Sequence, residues 1–267
     1  MPSEYQKSDF QTTEIITLWN EIHAKTNDKK LAGKYLQESA IYNQIARQNN
    51  QIIIISNFKN HSFITLSDNF NDIYESGKSK EDWMKWGAFY FSRAIPFEQS
   101  KTMIQISMWF NKIKKENIQN PCYRQTYCGW KFKCSQSGKI KYLSAHLQGL
   151  EYSTTGEPVI VMTTISDVTH LLRENPPFWS NIKLTETPNE GYLYHSDKGN
   201  ITKTDILTQR EIEFLKAFES GLELKEIAEK MQISYKTADA HRANLLYALG
   251  VRNPMAGIEI AKKAGII

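Results

Sequence analysis

The stretch "LTQREIEFLKAFESGLELKEIAEKMQISYKTADAHRANLLYALGV", residues 207–251, decides the fold of the carboxyl-terminal part of this 267-residue chain. Thr208 is followed three residues later by Glu211, which is the spacing of a capping box at the start of a helix. Apolar residues then recur at helical spacing as far as Gly221, a residue free to adopt positive φ. The sequence therefore predicts a first helix over 209–220.

Two more helices follow within the same stretch. Ile227, Ala228 and Met231 form the buried stripe of a second helix of about two turns. Ser234 is a favourable cap for a third helix, which Gly250 ends. Because the second and third helices are separated by so short a turn, the pattern is that of a helix-turn-helix.

A fourth helix is predicted to begin just beyond this stretch. Asn253 is a favourable cap, and Pro254 occupies the first helical position, where its missing N–H costs nothing. Ile258 and Ala261 would turn inward from this helix. The carboxyl-terminal region is thus expected to be an all-α domain of four helices.

The outer face of the third helix has the composition of a DNA reader. With Ala238 and Leu245 in the core, the 100° step per residue places four residues near the opposite side. They are Lys236, Ala240, Ala243 and Tyr247. Alanines let a helix sit deep in a groove and can touch a thymine methyl group, and a lysine can reach a guanine edge or a phosphate.

Two charged residues flank this face. Asp239 could accept a hydrogen bond from a cytosine amino group or merely repel phosphate. Arg242 falls near the core boundary, so we expect its stem to run along the domain and its guanidinium to reach the DNA backbone. Affinity would come from a few phosphate contacts, so one such module should bind weakly alone.

Residues 207–251 closely resemble the LuxR-type (GerE-type) helix-turn-helix of bacterial transcription factors, and the resemblance covers about the last 60 residues. The positions that carry it are Leu207, Thr208, Arg210, Glu211, Gly221, Lys225, Glu226, Ile227, Ala228, Ile233, Ser234, Thr237, His241, Asn244, Leu249, Gly250 and Val251. The chain departs from the family at Glu223, usually a Ser or Thr cap, at Ala238, usually Val, and at Asp239, often Lys. The last departure affects the preferred DNA sequence.

The resemblance implies a DNA-binding domain over 204–267 with double-stranded DNA as its partner. Together with the helical face, it predicts these DNA-contacting residues: Lys225, Ser234, Tyr235, Lys236, Thr237, Asp239, Ala240, His241, Arg242, Ala243, Asn244 and Tyr247. The alternative for this segment is a small helical bundle that binds protein. Since operators for such factors usually contain two half-sites, a homodimer is expected.

The amino-terminal two thirds mix helices and strands. Helices are predicted at 12–24 and 35–46 around a polar, loop-like stretch at 25–34, within a helical extension over 1–47. "QIIIISNF" and "SFITL" read as two strands, an aromatic helical region follows, and an antiparallel meander of three strands begins near Cys122. We expect an α+β domain with an antiparallel five-stranded sheet and its helices on one face.

This order is similar to a PAS domain, and Asp167 and Thr169 match the Asp-x-Thr ending of its last strand. The resemblance covers about 48–172 and implies a PAS-like sensor domain, whose cavity in that family holds a small ligand, a cofactor or nothing. The reactive cysteine motif of flavin photosensors and the middle-helix histidine of haem binders are both missing from the sequence. No cofactor is therefore predicted.

The aromatic region is where an unknown small molecule would bind. The candidate lining residues are Trp83, Trp86, Phe89 and Phe91, with plain core packing as the alternative. The first helix, with Leu18 and Trp19, is the candidate dimer contact, although it could instead cover its own sheet. Residues 173–203 are predicted as a polar linker, with a possible short strand at 192–195.

Composition excludes several classes. The chain has 40% hydrophobic and 12% aromatic residues, enough for packed cores, and its net charge of +4 is mild. No signal peptide or membrane span is apparent, so a cytoplasmic location is predicted. Cys122, Cys128 and Cys134 do not form a metal-type cluster and are expected to be reduced. No nucleophile elbow, metal motif or phosphate loop is present, which argues against an enzyme.

Overall fold

The computed structural model describes residues 29–59, 62–86, 96, 98–103, 105–106, 122–184 and 191–267. The chain divides into two compact units. The first, here called the sheet unit, comprises the chain up to 123 together with 131–141 and 147–166. The second, here called the helical unit, comprises 124–130, 142–146 and 167–267. The predicted helix at 12–24, with Leu18 and Trp19, lies outside the described residues.

The elements follow one another in a simple order. Four helices and two strands come first: α1 Lys29–Gln37, α2 Ser39–Gln48, β1 Ile52–Asn57, β2 Ser62–Leu66, α3 Phe70–Tyr74 and α4 Lys80–Trp86. Six strands come next: β3 Arg124–Lys133, β4 Ile140–Tyr152, β5 Pro158–Asp167, β6 Trp179–Lys183, β7 Gly191–His195 and β8 Ile201–Thr202. Four helices end the chain: α5 Gln209–Glu219, α6 Leu224–Lys230, α7 Tyr235–Leu249 and α8 Pro254–Lys263.

The strands form one antiparallel sheet in the order β2–β1–β5–β4–β3–β6–β7–β8. The five predicted strands are all present, but the prediction of a five-stranded sheet was wrong, since the sheet has eight. The three additional strands lie in the stretch 173–203. This stretch looks polar in sequence, since β7 buries only alternate residues. Its strands join the sheet through long-range pairing, such as that of Cys128 with Trp179.

The core of the sheet unit explains why α1 and α2 form. All six residues of β1 are buried, so this strand needs cover on both faces. Tyr35 of α1 and Ala46 of α2 pack with Ile53, Ile55 and Val159, and the Tyr35 hydroxyl donates to the Glu151 carboxylate at 3.0 Å. Part of the stretch predicted as a loop at 25–34 is therefore helical from Lys29 onward.

The core of the helical unit is shared by its helices and its strand segments. Trp179 of β6 and Leu193 of β7 are buried in the same apolar cluster as Phe214, Leu245 and Leu249. The Trp179 indole Nε1 donates to the Leu249 carbonyl oxygen at 3.4 Å. The four-helix region thus packs directly on strands of its own unit.

Candidate nucleic-acid interface

The helix ends of the carboxyl-terminal region carry the predicted caps. The Thr208 side chain accepts from the Glu211 N–H, and the Glu211 carboxylate accepts from the Thr208 N–H at 2.8 Å. At α6, where the chain has Glu223 instead of Ser or Thr, the Glu226 carboxylate accepts from the Glu223 N–H at 2.7 Å. The departure at Glu223 therefore leaves a capped helix start.

The third helix of the predicted motif is α7. The Ser234 hydroxyl accepts from the Thr237 N–H at 3.1 Å, which closes the amino-terminal end. Gly250 ends the helix with φ of +69°, and a side chain there would collide with Pro177. Only glycine meets both requirements, so the end of α7 is fixed by its sequence.

The two sides of α7 are clearly distinguished. Ala238, Leu245 and Leu249 are fully buried, as their spacing predicted. The exposed residues of the helix are Tyr235, Lys236, Thr237, Ala240, Ala243, Asn244 and Tyr247. The structure thus brings most of the predicted DNA-contacting residues to one accessible side, here called the α7 face.

Three members of the predicted set, Asp239, His241 and Arg242, are partly buried instead. His241 lies against the ring of Phe214, with 5.1 Å between the ring centroids, so it packs toward the helical core. Arg242 forms an ion pair with Asp239 at 2.7 Å, one turn earlier in the helix. The expectation that Asp239 and Arg242 flank the face is consistent with this arrangement, but their charges largely cancel there.

The cations of this region are therefore unequally available. Lys236 is exposed near the start of α7, and Lys225 is exposed near the start of α6. The Arg252 guanidinium is instead hydrogen-bonded to the Leu172 carbonyl oxygen. Lys236 is thus an exposed cation on the α7 face itself.

The far end of the α7 face carries a cluster that the sequence did not predict. The Tyr247 hydroxyl donates to the Asp197 carboxylate at 2.6 Å. The Arg173 guanidinium carbon lies 4.9 Å from the centre of the Tyr247 ring, and the His195 ring stacks on that ring at 6.3 Å. No local signal marks these residues, because 173, 195 and 197 are brought to α7 only by the fold of the helical unit.

Electrostatics within the cluster keep a negative charge at this position. The hydrogen bond from Tyr247 lowers the pKa of the Asp197 carboxyl, and His195, Ser196 and Arg173 lower it further. The same hydrogen bond raises the pKa of the Tyr247 hydroxyl. Asp197 therefore stays ionised near neutral pH while Tyr247 keeps its proton.

The predicted ligand-lining residues are only partly described. Trp83 is 1% exposed and stacks on Tyr74, with 4.9 Å between the ring centroids. Its indole Nε1 donates to the Ser76 hydroxyl at 3.0 Å. Trp83 is thus packed within the sheet unit. The backbone of Trp86 ends α4, and Phe89 and Phe91 lie outside the described residues.

Other expectations can be compared with the described part of the chain. The three cysteines form no disulfide, and burial raises the pKa of the Cys128 thiol to about 12. No group of three or more His, Cys, Asp or Glu residues in the described ranges is placed to hold a metal ion. Among those same residues, no helix combines the length and apolarity that crossing a bilayer requires.

Comparisons with known proteins agree with the geometry of the carboxyl-terminal region. Residues 205–261 match the family "Bacterial regulatory proteins, luxR family". Oxygen regulatory protein NreC of Staphylococcus aureus is 32% identical over 90 residues. That alignment covers 33% of this chain and 42% of NreC, so the match spans less than half the length of the relative.

Solved structures of VqmA show a weaker likeness. The Vibrio cholerae VqmA dimer without target DNA shares 15% identity over 83% of this chain and 86% of that chain, with a TM-score of 0.33. The VqmA complex with ligand and DNA shares 15% identity over 82% and 84%, with a TM-score of 0.31.

The family match agrees with the predicted fold of the last four helices. Its members are non-enzymatic DNA-binding regulators, which also agrees with the prediction that the chain is not an enzyme. Residues 205–261 of this chain form a luxR-family (GerE) helix-turn-helix domain.

Proposed function

We propose that this chain is a one-component transcription regulator that binds duplex DNA through the α7 face. The observation that carries the proposal is the composition of that face. Lys236 is exposed beside the small residues Ala240 and Ala243, on a helix whose opposite side is fully buried. A helix of this shape can enter the major groove and place its amino-terminal residues at base edges.

The predicted binding residues would divide between the groove and the DNA backbone. Tyr235, Lys236, Thr237, Ala240, Ala243, Asn244 and Tyr247 would face the groove, with Lys225 and Ser234 contacting the backbone from the helix starts. Asp239, His241 and Arg242 would either hold α7 in place or contact the DNA beside the α7 face. Binding to bacterial DNA would also place the chain in the cytoplasm.

We also propose that the chain binds DNA as a homodimer. A single small DNA-binding domain makes few phosphate contacts, so one copy would bind weakly. Two linked readers turn the second binding event into an intramolecular one and read two half-sites. A dimer contact through Leu18 and Trp19 remains part of this proposal.

For the amino-terminal region we propose a PAS-like domain over 48–172, preceded by a helical extension over 1–47. The order of β1, β2, two helices and β3–β5 supports it, as does the hydrogen bond from Thr169 Oγ1 to the Asp167 carboxylate at 2.6 Å. The DNA-binding domain would occupy 204–267, with 173–203 connecting the two. This connection contributes strands β6–β8 to the sheet.

A second candidate role for the PAS-like region is protein docking or dimerisation without a small ligand. The packing of Trp83 favours it, because its ring contacts two aromatic rings and its indole N–H is already hydrogen-bonded. Native mass spectrometry of the purified chain separates the two roles. A retained small molecule supports sensing, and an apo dimer supports docking.

The DNA proposal is tested by selecting duplexes from a random pool with the full chain, then measuring affinity by fluorescence anisotropy. We expect Lys236→Ala to weaken binding to the selected duplex by about tenfold, as the loss of a good base contact does. Arg47→Ala, an exposed cation on α2, is the control and should bind like the parent chain. Equal affinities for Lys236→Ala and the parent chain would overturn the assignment of the α7 face.

A further inference from the structure

The cluster around Tyr247 lies where a bound duplex would present phosphates. Eleven residues separate Lys236 from Tyr247, which is about 16 Å along a helix. The major groove is about 12 Å wide. A helix that places Lys236 at base edges therefore carries Tyr247 out to the edge of the groove, where the sugar–phosphate backbone runs.

The side chains at this position have the chemistry of an anion site. The Tyr247 hydroxyl is a donor, and the Arg173 guanidinium lies over the same ring. Arg173 Nε is shielded from solvent and has no hydrogen-bond partner among the described residues. A tyrosine hydroxyl beside an arginine guanidinium is a pair of groups that recognises a phosphate.

In the present structure an anion already contacts one member of the pair, Tyr247. The Asp197 carboxylate accepts the Tyr247 hydroxyl at 2.6 Å, and the positive charge of Arg173 contributes to the low pKa of that carboxyl. Asp197 is exposed, at the turn between β7 and β8. A carboxylate offers acceptor oxygens and a negative charge, so it stands where a phosphate oxygen would bind.

We propose that Tyr247 and Arg173 form a contact site for a DNA backbone phosphate, and that Asp197 occupies this site in the absence of DNA. The inference rests on the proposed function, because it assumes that the α7 face meets a duplex. It adds Arg173, which lies outside the family-matched residues 205–261, to the DNA interface. It also makes Asp197 an internal competitor of the ligand.

The competition has a definite consequence for each residue. A phosphate that approaches Tyr247 must displace Asp197, whose own negative charge then faces the duplex. Removing the charge of Asp197 favours the DNA-bound state for two reasons. It weakens the competitor for Tyr247, and it ends the repulsion between Asp197 and the duplex. Removing Arg173 instead deletes one phosphate contact, and each such contact contributes about 0.9 to the slope of log affinity against log salt.

The test measures duplex affinity of the full chain at several salt concentrations, using the selected duplex. We expect Asp197→Asn to tighten binding by about tenfold, and Arg173→Gln to weaken it by about tenfold and to flatten the salt slope by about one contact. Arg173→Lys should keep most of the slope. The controls are Asp72→Asn, an exposed carboxylate on α3, and Arg47→Ala, which remove the same charges elsewhere.

Tyr247→Phe supplies a sharper arm because the hydroxyl has a partner in both states. When the parent chain binds DNA, the Tyr247 hydroxyl exchanges a carboxylate partner for a phosphate partner. Tyr247→Phe should therefore change the affinity by less than about threefold. In the Asp197→Asn background, the Tyr247 hydroxyl has a weaker hydrogen bond in the free protein than in the DNA complex. Tyr247→Phe should therefore weaken binding by about tenfold in that background. If Asp197 merely tethers α7, Asp197→Asn, Tyr247→Phe and the double variant should all shift affinity alike.

The outcomes separate this inference from the proposed function. If Lys236→Ala weakens binding but Asp197→Asn does not tighten it beyond the Asp72→Asn control, the phosphate site is wrong and the α7 face stands. If Arg173→Gln leaves the salt slope unchanged, the site is also wrong. If the parent chain shows no affinity for duplex DNA, both proposals fail together.

Discussion

The helical region α5–α8 and the eight-stranded sheet are held together in different ways. Each of the helices α5–α8 is preceded by a cap residue whose hydrogen-bond partner lies three positions later in the sequence, as at Thr208 and Ser234. The sheet depends on pairs far apart in the chain, such as Ile52 with Ile165. The helical region is therefore specified by many small local interactions, while the sheet is specified by long-range contacts.

The greatest loss of stability is expected in the sheet unit, at a large buried side chain. Trp83 is buried against Phe70 and Tyr74, so Trp83→Ala should lower the free energy of unfolding by about 3–5 kcal/mol. Chemical denaturation followed by circular dichroism measures the change. Trp83→Phe keeps an aromatic ring and should cost much less. A loss below about 1 kcal/mol for Trp83→Ala would mean that the sheet unit does not depend on this contact.

A second prediction concerns pH and a strand of the helical unit. Burial, with a smaller contribution from Arg124, lowers the pKa of the His146 ring to about 4, and the ring pairs with the Thr126 hydroxyl at 3.0 Å. Between the folded pKa of about 4 and the ordinary value of about 6.5, the unfolded chain binds the proton and the folded chain does not. The free energy of unfolding should therefore fall by about 3 kcal/mol as the pH drops from 6.5 to about 4.

Thermal denaturation across this pH range provides the measurement. His146→Asn keeps a partner for Thr126 and should flatten the dependence, while His170→Asn, at an exposed histidine, is the control. Burial also lowers the pKa of His195, which acts with the same sign, so some dependence should remain. An unchanged pH profile for His146→Asn would contradict the assignment.

The smallest change in stability is expected at a helix cap, where the local interactions of the helical region are tested. Thr208→Ala removes the side chain that accepts from the Glu211 N–H, and should lower the free energy of unfolding by about 1 kcal/mol. Thr208→Ser keeps the hydroxyl and should stay near the parent value. A loss as large as that of Trp83→Ala would show that the helical region is not built from small independent contributions.

The same contrast explains what the sequence could predict. The four terminal helices and their caps were confirmed because capping residues, glycine ends and helical spacing are all read within a few positions. Strands β1–β5 were also confirmed, since each is a run of apolar or alternating residues. Strands β6–β8 were mostly missed, because Ser180 and Asn181 interrupt the apolar residues of β6 and β8 is only two residues long.

The candidate interface divides along similar lines. The α7 face follows from helical spacing once Ala238 and Leu245 are assigned to the core, so Lys236, Ala240 and Ala243 were placed correctly on its exposed side. The pairing of Arg242 with Asp239 is a choice among rotamers that spacing alone does not determine. Asp197 and Arg173 could not be predicted, because only the packing of the helical unit brings them to Tyr247.

The short bridge between Leu172 and Val251 has a practical consequence for anyone who would work with the DNA-binding region alone. The Arg173 N–H donates to the Gly250 carbonyl oxygen at 2.9 Å, and the Arg252 N–H donates to the Leu171 carbonyl oxygen at 3.2 Å. A fragment that begins at residue 204 would lack these hydrogen-bond partners of the loop after α7. It would also expose the apolar surface that Trp179 covers. The smallest self-sufficient piece of this region therefore begins well upstream of its family boundary.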